Sequence, residues 1–460
     1  MFGLLIGLVV TIIAVRALLK KYYPHAVLLA AGLFMMAMAT IINQASVIGD
    51  KTTGSFFVDL FEFIKNTAGA RVGGLGLIIM SVAGFSVYMD HIGASRVLSN
   101  LATSPLKKLN KPYLVLGLCY TVGQILNVFI PSASGLALLL MVTMYPVLLS
   151  LGIPKISAAA VIVTTACLDL GPASGNANLA AKTGGIDVAE YFVSYQIPVS
   201  VLVILVITVL HIIVQSYFDK KEKIYNNREL NIAAKDSITS DEEKLQNDAP
   251  KFYAILPIIP LALLLVFSQF FITSIKMNVI TAMFIGLFVS LICEFFVKKD
   301  LKKVFASIKV YFDGMGRNLA LVITLIVAGE TFAGGLKSIG AIGYIIDSAK
   351  NLGMGIEPMM IVMTVIISVT ALLMGSGNAA FFAFAPLAPQ VAAAVGANPL
   401  IMLLPMQLAS GIARSASPIL AATIAVAGMT DLNTLDVAKR ALIPMLGGLI
   451  ATIVGTLLFI

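Results

Sequence analysis

Tryptophan is missing from these 460 residues, histidine and cysteine occur three times each, and only 12% of the chain is charged. The shortage of charge excludes the most, because a soluble chain of this length carries roughly twice that fraction. Cys119, Cys167 and Cys293 all fall inside apolar segments with no CxxC or metal spacing, so they read as packing residues. No phosphate-binding P-loop occurs, which leaves gradients or exchange to drive any uphill process. The net charge of +8 does not point to nucleic acid, since most basic residues sit in loops flanking apolar runs.

Apolar length is what the chain has in excess. Hydrophobic residues make up 59%, mean hydropathy is +0.98, and apolar runs repeatedly reach bilayer-spanning length. This is the composition of an all-α polytopic membrane protein. The N-terminus, Met1-Phe-Gly-Leu-Leu, lacks a basic leader, and its apolar run ends in Arg16, Lys20 and Lys21, so it reads as a retained first helix.

One stretch breaks the pattern: residues 216–250 are rich in Lys, Glu, Asp and Asn with no apolar face, and they read as a linker between halves 1–215 and 251–460. Laid side by side, the halves pair Arg71 with Arg317, His91-Ile-Gly-Ala94 with Ser338-Ile-Gly-Ala341, and Ser132 with Ser376. They also pair Gly152 with Gly396, Ser174 with Ser417, and Ile197-Pro198 with Ile443-Pro444. The offset stays about 245 residues, so a duplication covers almost the whole chain.

The pattern predicts, in the first half, spans over Leu4–Leu19, Pro24–Ile42 and Val72–Met89, and an interfacial arm over Ser95–Leu109. A re-entrant hairpin over 113–149, a broken helix over 158–179 and a last span over Tyr191–Gln215 follow. The second half repeats the plan with spans Phe252–Phe271, Val279–Phe296 and Asn318–Leu336 and an arm Tyr344–Gly353. It ends with a hairpin over 359–395, a broken helix over 400–427 and a span Ala441–Ile460. Five crossings per half is odd, so the halves are expected to insert oppositely, as an inverted repeat of the kind secondary transporters use. The clusters Arg16/Lys20/Lys21, Lys107/Lys108/Lys111, Lys220/Lys221/Lys223, Lys298/Lys299/Lys302/Lys303 and Lys439/Arg440 all fall on one side if both termini are outside. That places the linker in the cytoplasm.

Four Ser/Gly/Asn clusters interrupt the apolar runs: Pro131-Ser-Ala-Ser-Gly135, Gly171-Pro-Ala-Ser-Gly-Asn176, Gly375-Ser-Gly-Asn378 and Arg414-Ser-Ala-Ser-Pro418. Breaks inside a bilayer expose unpaired backbone groups, tolerated only where protein, water or ligand satisfies them. Each following helix begins with orphan N–H groups and a partial charge of about +0.5, and converging N-termini favour an anion. Arg414 adds a full charge and Asp169 opposes it. About four half-charges plus Arg414 less Asp169 leaves roughly +2, which a small dianion balances.

Other readings attach to the same residues. Ser-x-x-x-Gly patterns also mark close helix packing, Arg414 and Asp169 could form a purely structural ion pair, and Asp169 could instead carry H⁺ or Na⁺. Glu330, in Val327-Ala-Gly-Glu-Thr-Phe, is a second buried acid, structural or coupling-related. Arg71 and Arg317 lie at the ends of apolar runs and read as anchors that snorkel to headgroups. His91 and His211 sit at predicted span ends and read as structural or interfacial, while His25 starts a span and carries no assignment.

Tyr88-Met-Asp-His-Ile-Gly-Ala-Ser95, Ser132-Ala-Ser-Gly-Leu136 with Leu140-Met-Val-Thr-Met-Tyr-Pro146, Val327-Ala-Gly-Glu330, Met374-Gly-Ser-Gly-Asn-Ala379 and Ala413-Arg-Ser-Ala-Ser-Pro-Ile419 carry a family resemblance. Over essentially its full length the chain resembles the DcuC/DcuD group of anaerobic C4-dicarboxylate carriers, within the ion transporter superfamily. Glu330 and Asp169 look more like the DcuD branch. The resemblance implies an elevator-type carrier of the bacterial inner membrane, with hairpins and broken helices moving against a scaffold that often forms a homodimer. It implies fumarate, succinate or malate as substrate, no cofactor, and Na⁺ or H⁺ as a coupling ion, with Asp169 and Glu330 as candidate acids. It assigns the first hairpin tip to Ser132, Ser134 and Gly135, and the second to Ser376, Gly377 and Asn378. Ser174, Gly175 and Asn176 would line the first helix break, and Arg414, Ser415 and Ser417 the second. The family pattern usually has an acid where this chain has Asn176, while the acid here stands at Asp169.

The competing readings are a carrier of the same fold for another carboxylate or an amino acid, an anion channel, and an intramembrane serine hydrolase built on Ser174. A channel needs no paired re-entrant tips closing on one point. The hydrolase lacks a histidine base away from span ends and a recognisable orienting acid.

Overall fold

The computed structural model describes residues 2–20, 22–43, 46–222, 249–341, 355–394 and 396–460. Most of the linker and the arm Tyr344–Gly353 lie outside them. Eight helices among the described residues are long and apolar enough to cross a membrane: Pro24–Ile42, Phe56–His91, Pro112–Phe129, Val188–Lys221, Val279–Lys298, Leu301–Ser338, Ile356–Met374 and Thr434–Phe459. Exposed Leu, Ile, Val and Phe side chains cover their outer faces, as a lipid-facing surface requires.

Among the helices that run longer than the apolar pattern predicts, three contain a π turn. The predicted spans over Val72–Met89 and Asn318–Leu336 are the distal parts of Phe56–His91 and Leu301–Ser338, with π turns at Val72–Gly76 and Leu319–Ile323. The last span of the first half has its turn at Tyr191–Gln196 and runs on to Lys221. The proximal part Leu301–Asn318 is amphipathic and charged on one face, so it does not read as apolar. It packs along Leu77–His91 where Gly84 and Gly314 remove the side chains between the two backbones. The predicted span Phe252–Phe271 is corrected: it forms a 3-10 segment Lys251–Ile258 and a short α-helix Ile259–Val266. Pro257 lacks the N–H that an α-helix running on from Lys251 needs, whereas Pro260 sits in the first turn of the second piece, where an N–H has no helical partner. At about 2.0 and 1.5 Å rise per residue the two pieces still extend roughly 28 Å, nearly a bilayer core.

Local devices recur in step along the two halves. Gly93 and Gly340 end matching helices at φ +80° and +77°, Gly152 and Gly396 follow the hairpins at +85° and +70°, and Gly185 and Asp431 end the broken helices at +77° and +54°. Asp187 and Asn433 cap the last helices by accepting from Ala189 and Leu435. Ser132 and Ser376 cap the second hairpin arms by accepting from the backbone N–H groups of Gly135 and Ala379. The halves interlock: Gly32 meets the backbone of Thr331, and Gly447 and Gly448 admit Leu210 and Ile207 from the opposite half.

One predicted loop charge is not in a loop. Arg440 is buried, donating to Asp219 at 2.9 Å and Glu222 at 2.8 Å, with its guanidinium 5.1 Å from the Phe218 ring centre. Asp219 also accepts from Ser157 at 2.7 Å and Tyr113 at 3.0 Å. This cluster ties the first hairpin, the first broken helix and both last spans together at their ends. His211, read as a span-end residue, is fully buried inside Ile197–Lys221, and its Nε2 lies 3.0 Å from the Thr164 hydroxyl.

Candidate functional site

All four breaks are real interruptions of helix. Pro112–Phe129 gives way to Ala133–Thr143, Lys155–Thr164 to Gly175–Gly184, Ile356–Met374 to Gly377–Phe384, and Leu400–Ser415 to Ala421–Thr430. The first broken helix is open for longer than the cluster predicts, from Thr165 through Ser174. Ser132, Ser174 and Ser376 each accept a backbone N–H of their own following helix, from Gly135 at 3.1 Å, Ala177 at 3.2 Å and Ala379 at 3.3 Å. A hydroxyl that accepts from the backbone keeps its own proton to donate. Each cap therefore presents an O–H beside the positive end of a helix.

The breaks meet around one cavity of about 460 Å³. Ser132 and Ser134 line it from the first hairpin, Asp169, Ser174, Gly175 and Asn176 from the first broken helix, Ser376 and Asn378 from the second hairpin, and Arg414 from the second broken helix. Four predicted residues stand behind this wall. Gly135 sits against the Ser132 side chain, and Gly377 lets its helix approach the Ser410 carbonyl and the Arg414 stem. The Ser415 hydroxyl donates to Gly411 O at 2.9 Å, and Ser417 is fully buried and accepts from Ile419 N at 3.4 Å. Glu330 does not line the cavity; it pairs with Arg71, so Arg71 is an ion-pair partner rather than a headgroup anchor.

A hydrogen-bonded knot at the cavity joins three of the breaks. Arg414 Nη2 donates to Asp169 Oδ2 at 2.9 Å and to Ala166 O at 3.2 Å, and Nη1 lies 3.5 Å from Asn378 Oδ1. Asn176 Nδ2 donates to the same Asp169 oxygen at 3.0 Å and to Asn378 Oδ1 at 3.1 Å. Arg414 Nε and Asn176 Oδ1 are buried and have no hydrogen-bond partner among the described residues. A buried donor without a partner costs about 1–3 kcal/mol, which favours a ligand or water beside it.

Residues outside the predicted set hold the first break in place. Asp169 adopts φ +50°, a left-handed conformation that Asp tolerates better than most side chains. Gln407 Nε2 donates to the carbonyls of Leu168 at 2.9 Å and Asp169 at 3.2 Å, while its Oε1 accepts from Gln196 at 2.8 Å. Gln196 Oε1 in turn accepts from Gly171 N at 3.0 Å. A β-carbon at Gly411 would lie 2.2 Å from Cys167 O, so glycine there lets the broken strand of chain lie directly on Leu400–Ser415. Asp90, Arg317 and Asn318 also line the cavity. A glutamine inside an apolar span is a signal that could have found Gln196 and Gln407, and the pairing of Arg317 with Arg71 was the only one for Arg317.

The model of the C4-dicarboxylate anaerobic carrier family matches residues 2–460. The anaerobic C4-dicarboxylate transporter DcuC of Escherichia coli K12 is 34% identical over 99% of this chain and 96% of its own. A probable anaerobic C4-dicarboxylate transporter DcuC of Vibrio cholerae is 32% identical over 100% of this chain and 98% of its own. Among solved structures, the Alcanivorax borkumensis YdaH transporter aligns with a TM-score of 0.59 at 15% identity, over 94% of this chain and 97% of that one. Neisseria gonorrhoeae MtrF aligns with a TM-score of 0.53 at 13% identity, over 95% and 94%. These two likenesses concern the fold. Family match and curated relatives agree along the whole length: the chain belongs to the DcuC family of anaerobic C4-dicarboxylate carriers, and it is a multi-pass membrane transporter rather than an enzyme.

Proposed function

We propose that this chain moves small C4-dicarboxylates across the cytoplasmic membrane as a secondary transporter, by exchange or coupled to Na⁺ or H⁺. The observation that carries the reading is the meeting of four helix breaks, each contributing residues, on one cavity that also holds Arg414. Hydroxyl and backbone donors at helix N-termini suit a carboxylate. The curated relatives bear the name of C4-dicarboxylate transporters, which supports the substrate class.

Alternating access proceeds by an elevator motion of hairpins and broken helices against the long helices. The two halves insert with opposite orientation, with both termini outside, and the in-step caps and turns support the duplication this requires. The scaffold forms a homodimer. Of the two candidate coupling acids, Asp169 faces the cavity and Glu330 does not, which favours Asp169.

The test is uptake of labelled succinate into proteoliposomes preloaded with unlabelled fumarate, compared with empty vesicles. Trans-stimulation that Arg414→Ala abolishes is the expected result. Absence of uptake for every C4 acid, in monodisperse protein, would overturn the substrate assignment.

A further inference from the structure

Arg71 and Arg317 hold matching places beside the π turns Val72–Gly76 and Leu319–Ile323, yet their surroundings differ. Arg71 is paired with Glu330 away from the cavity. Arg317 lines the cavity together with Asn318 and forms no ion pair among the described residues.

Helix contacts fix its height. Leu77–His91 and Leu301–Asn318 run antiparallel, with the Tyr88 hydroxyl 3.2 Å from that of Ser307, Gly84 against Tyr311 and Gly314, and Gly76 against Ile323. Arg317 therefore stands between the levels of Gly84 and Gly76, near Ile79. Ile79 in turn lies 3.6 Å from where a β-carbon of Gly175 would be. Arg317 thus faces the first break across the cavity. Asp90, the acid on this same wall, lies about eleven residues beyond Ile79, roughly 16 Å along the helix, too far to neutralise it.

Charge makes this position matter. A dicarboxylate carries one carboxylate at each end, whereas the Arg414 charge is already matched by Asp169 at 2.9 Å. Helix ends and hydroxyls at the breaks bring only partial charges, so among them no unpaired full cation meets either carboxylate. We propose that Arg317 is the second cationic contact of the substrate, receiving the distal carboxylate and setting the preference for dicarboxylates over monocarboxylates. This rests on the dicarboxylate reading above.

The experiment measures succinate KM in counterflow, and inhibition of that flux by butyrate, for wild type, Arg317→Gln, Arg317→Lys and the matched control Arg71→Gln in full-length protein. Arg317→Gln is expected to raise succinate KM about ten- to a hundredfold, the usual weight of a charge-assisted contact. Butyrate inhibition stays within about twofold of wild type, since a monocarboxylate has no second group for Arg317 to lose. Arg317→Lys recovers part of the loss, and Arg71→Gln keeps the wild-type preference. An Arg317→Gln protein with unchanged succinate KM, or with succinate and butyrate weakened alike, overturns the proposal while leaving the substrate class standing. Wild-type protein that takes up no C4 acid overturns both.

Discussion

Exchanging Asp169 and Asn176 tests whether the site needs a carboxylate against Arg414 or merely a polar residue. In the wild type, Asp169 Oδ2 accepts from Arg414 at 2.9 Å and Asn176 at 3.0 Å, and all three side chains are buried. Removing one partner of a buried pair costs about 3–5 kcal/mol. Asp169→Asn keeps an acceptor oxygen, and Arg414 keeps Ala166 O and Asn378, so the lower end, about 3 kcal/mol, applies. Asn176→Asp brings a second carboxylate against the first, and like charges in contact are also destabilising. The double variant restores one carboxylate and one amide in contact. Residue 176 already shares Asn378 with Arg414, so the moved charge remains within its reach. Thermal aggregation of purified protein in detergent, followed by size-exclusion chromatography, should show both single variants melting well below wild type. The double variant should be more stable than the summed single losses predict, by a coupling of about 2 kcal/mol between neighbours. Single losses that simply add in the double variant, or an Asp169→Asn protein as stable as wild type, would refute the electrostatic reasoning.

Four further variants test the packing and pairing described above. Gly411→Ala, usually a gain of about 0.5–1 kcal/mol in a helix, should here cost about 3 kcal/mol because the new carbon meets Cys167 O. Gly428→Ala, with open space around it, should be neutral or stabilising in the same melting assay. Gln407→Leu leaves two backbone carbonyls and the Gln196 amide without partners and should lower stability by about 3 kcal/mol, with succinate flux lost at temperatures the wild type tolerates. Glu330→Gln breaks a pair whose arginine is a third exposed, so the loss should stay under about 1 kcal/mol. Uptake and its dependence on Na⁺ or pH should be unchanged, and a variant that loses ion dependence would return Glu330 to the transport cycle.

The parts of the fold legible in the sequence are those written as a contrast between apolar runs and Ser/Gly/Asn clusters. Such clusters mark breaks because serine caps a new helix start and glycine removes the bulk that would hold the next helix off, as Ser376 and Gly377 show against Ser410. Helix lengths were less legible. Leu301–Asn318 carries Lys302, Lys303, Lys309 and Asp313 on its free face, so its apolar count is low although it packs along Leu77–His91. The 3-10 segment Lys251–Ile258 hid for the opposite reason, since Pro257 does not lower apolar content but does end α-helical bonding.

The site shows the same division between pattern and partner. Arg414, Asp169 and Asn176 stand out because charge or amide inside an apolar run is costly unless used, and Asp169 could be set against Arg414 from their places beside two breaks, but no pattern gave Glu330 its arginine. Arg71 and Arg317 looked equivalent, and the fold separates them. Asp169 meets Arg414 at the cavity while Glu330 meets Arg71 outside it, so of two matched arginines only Arg317 is left facing the substrate space.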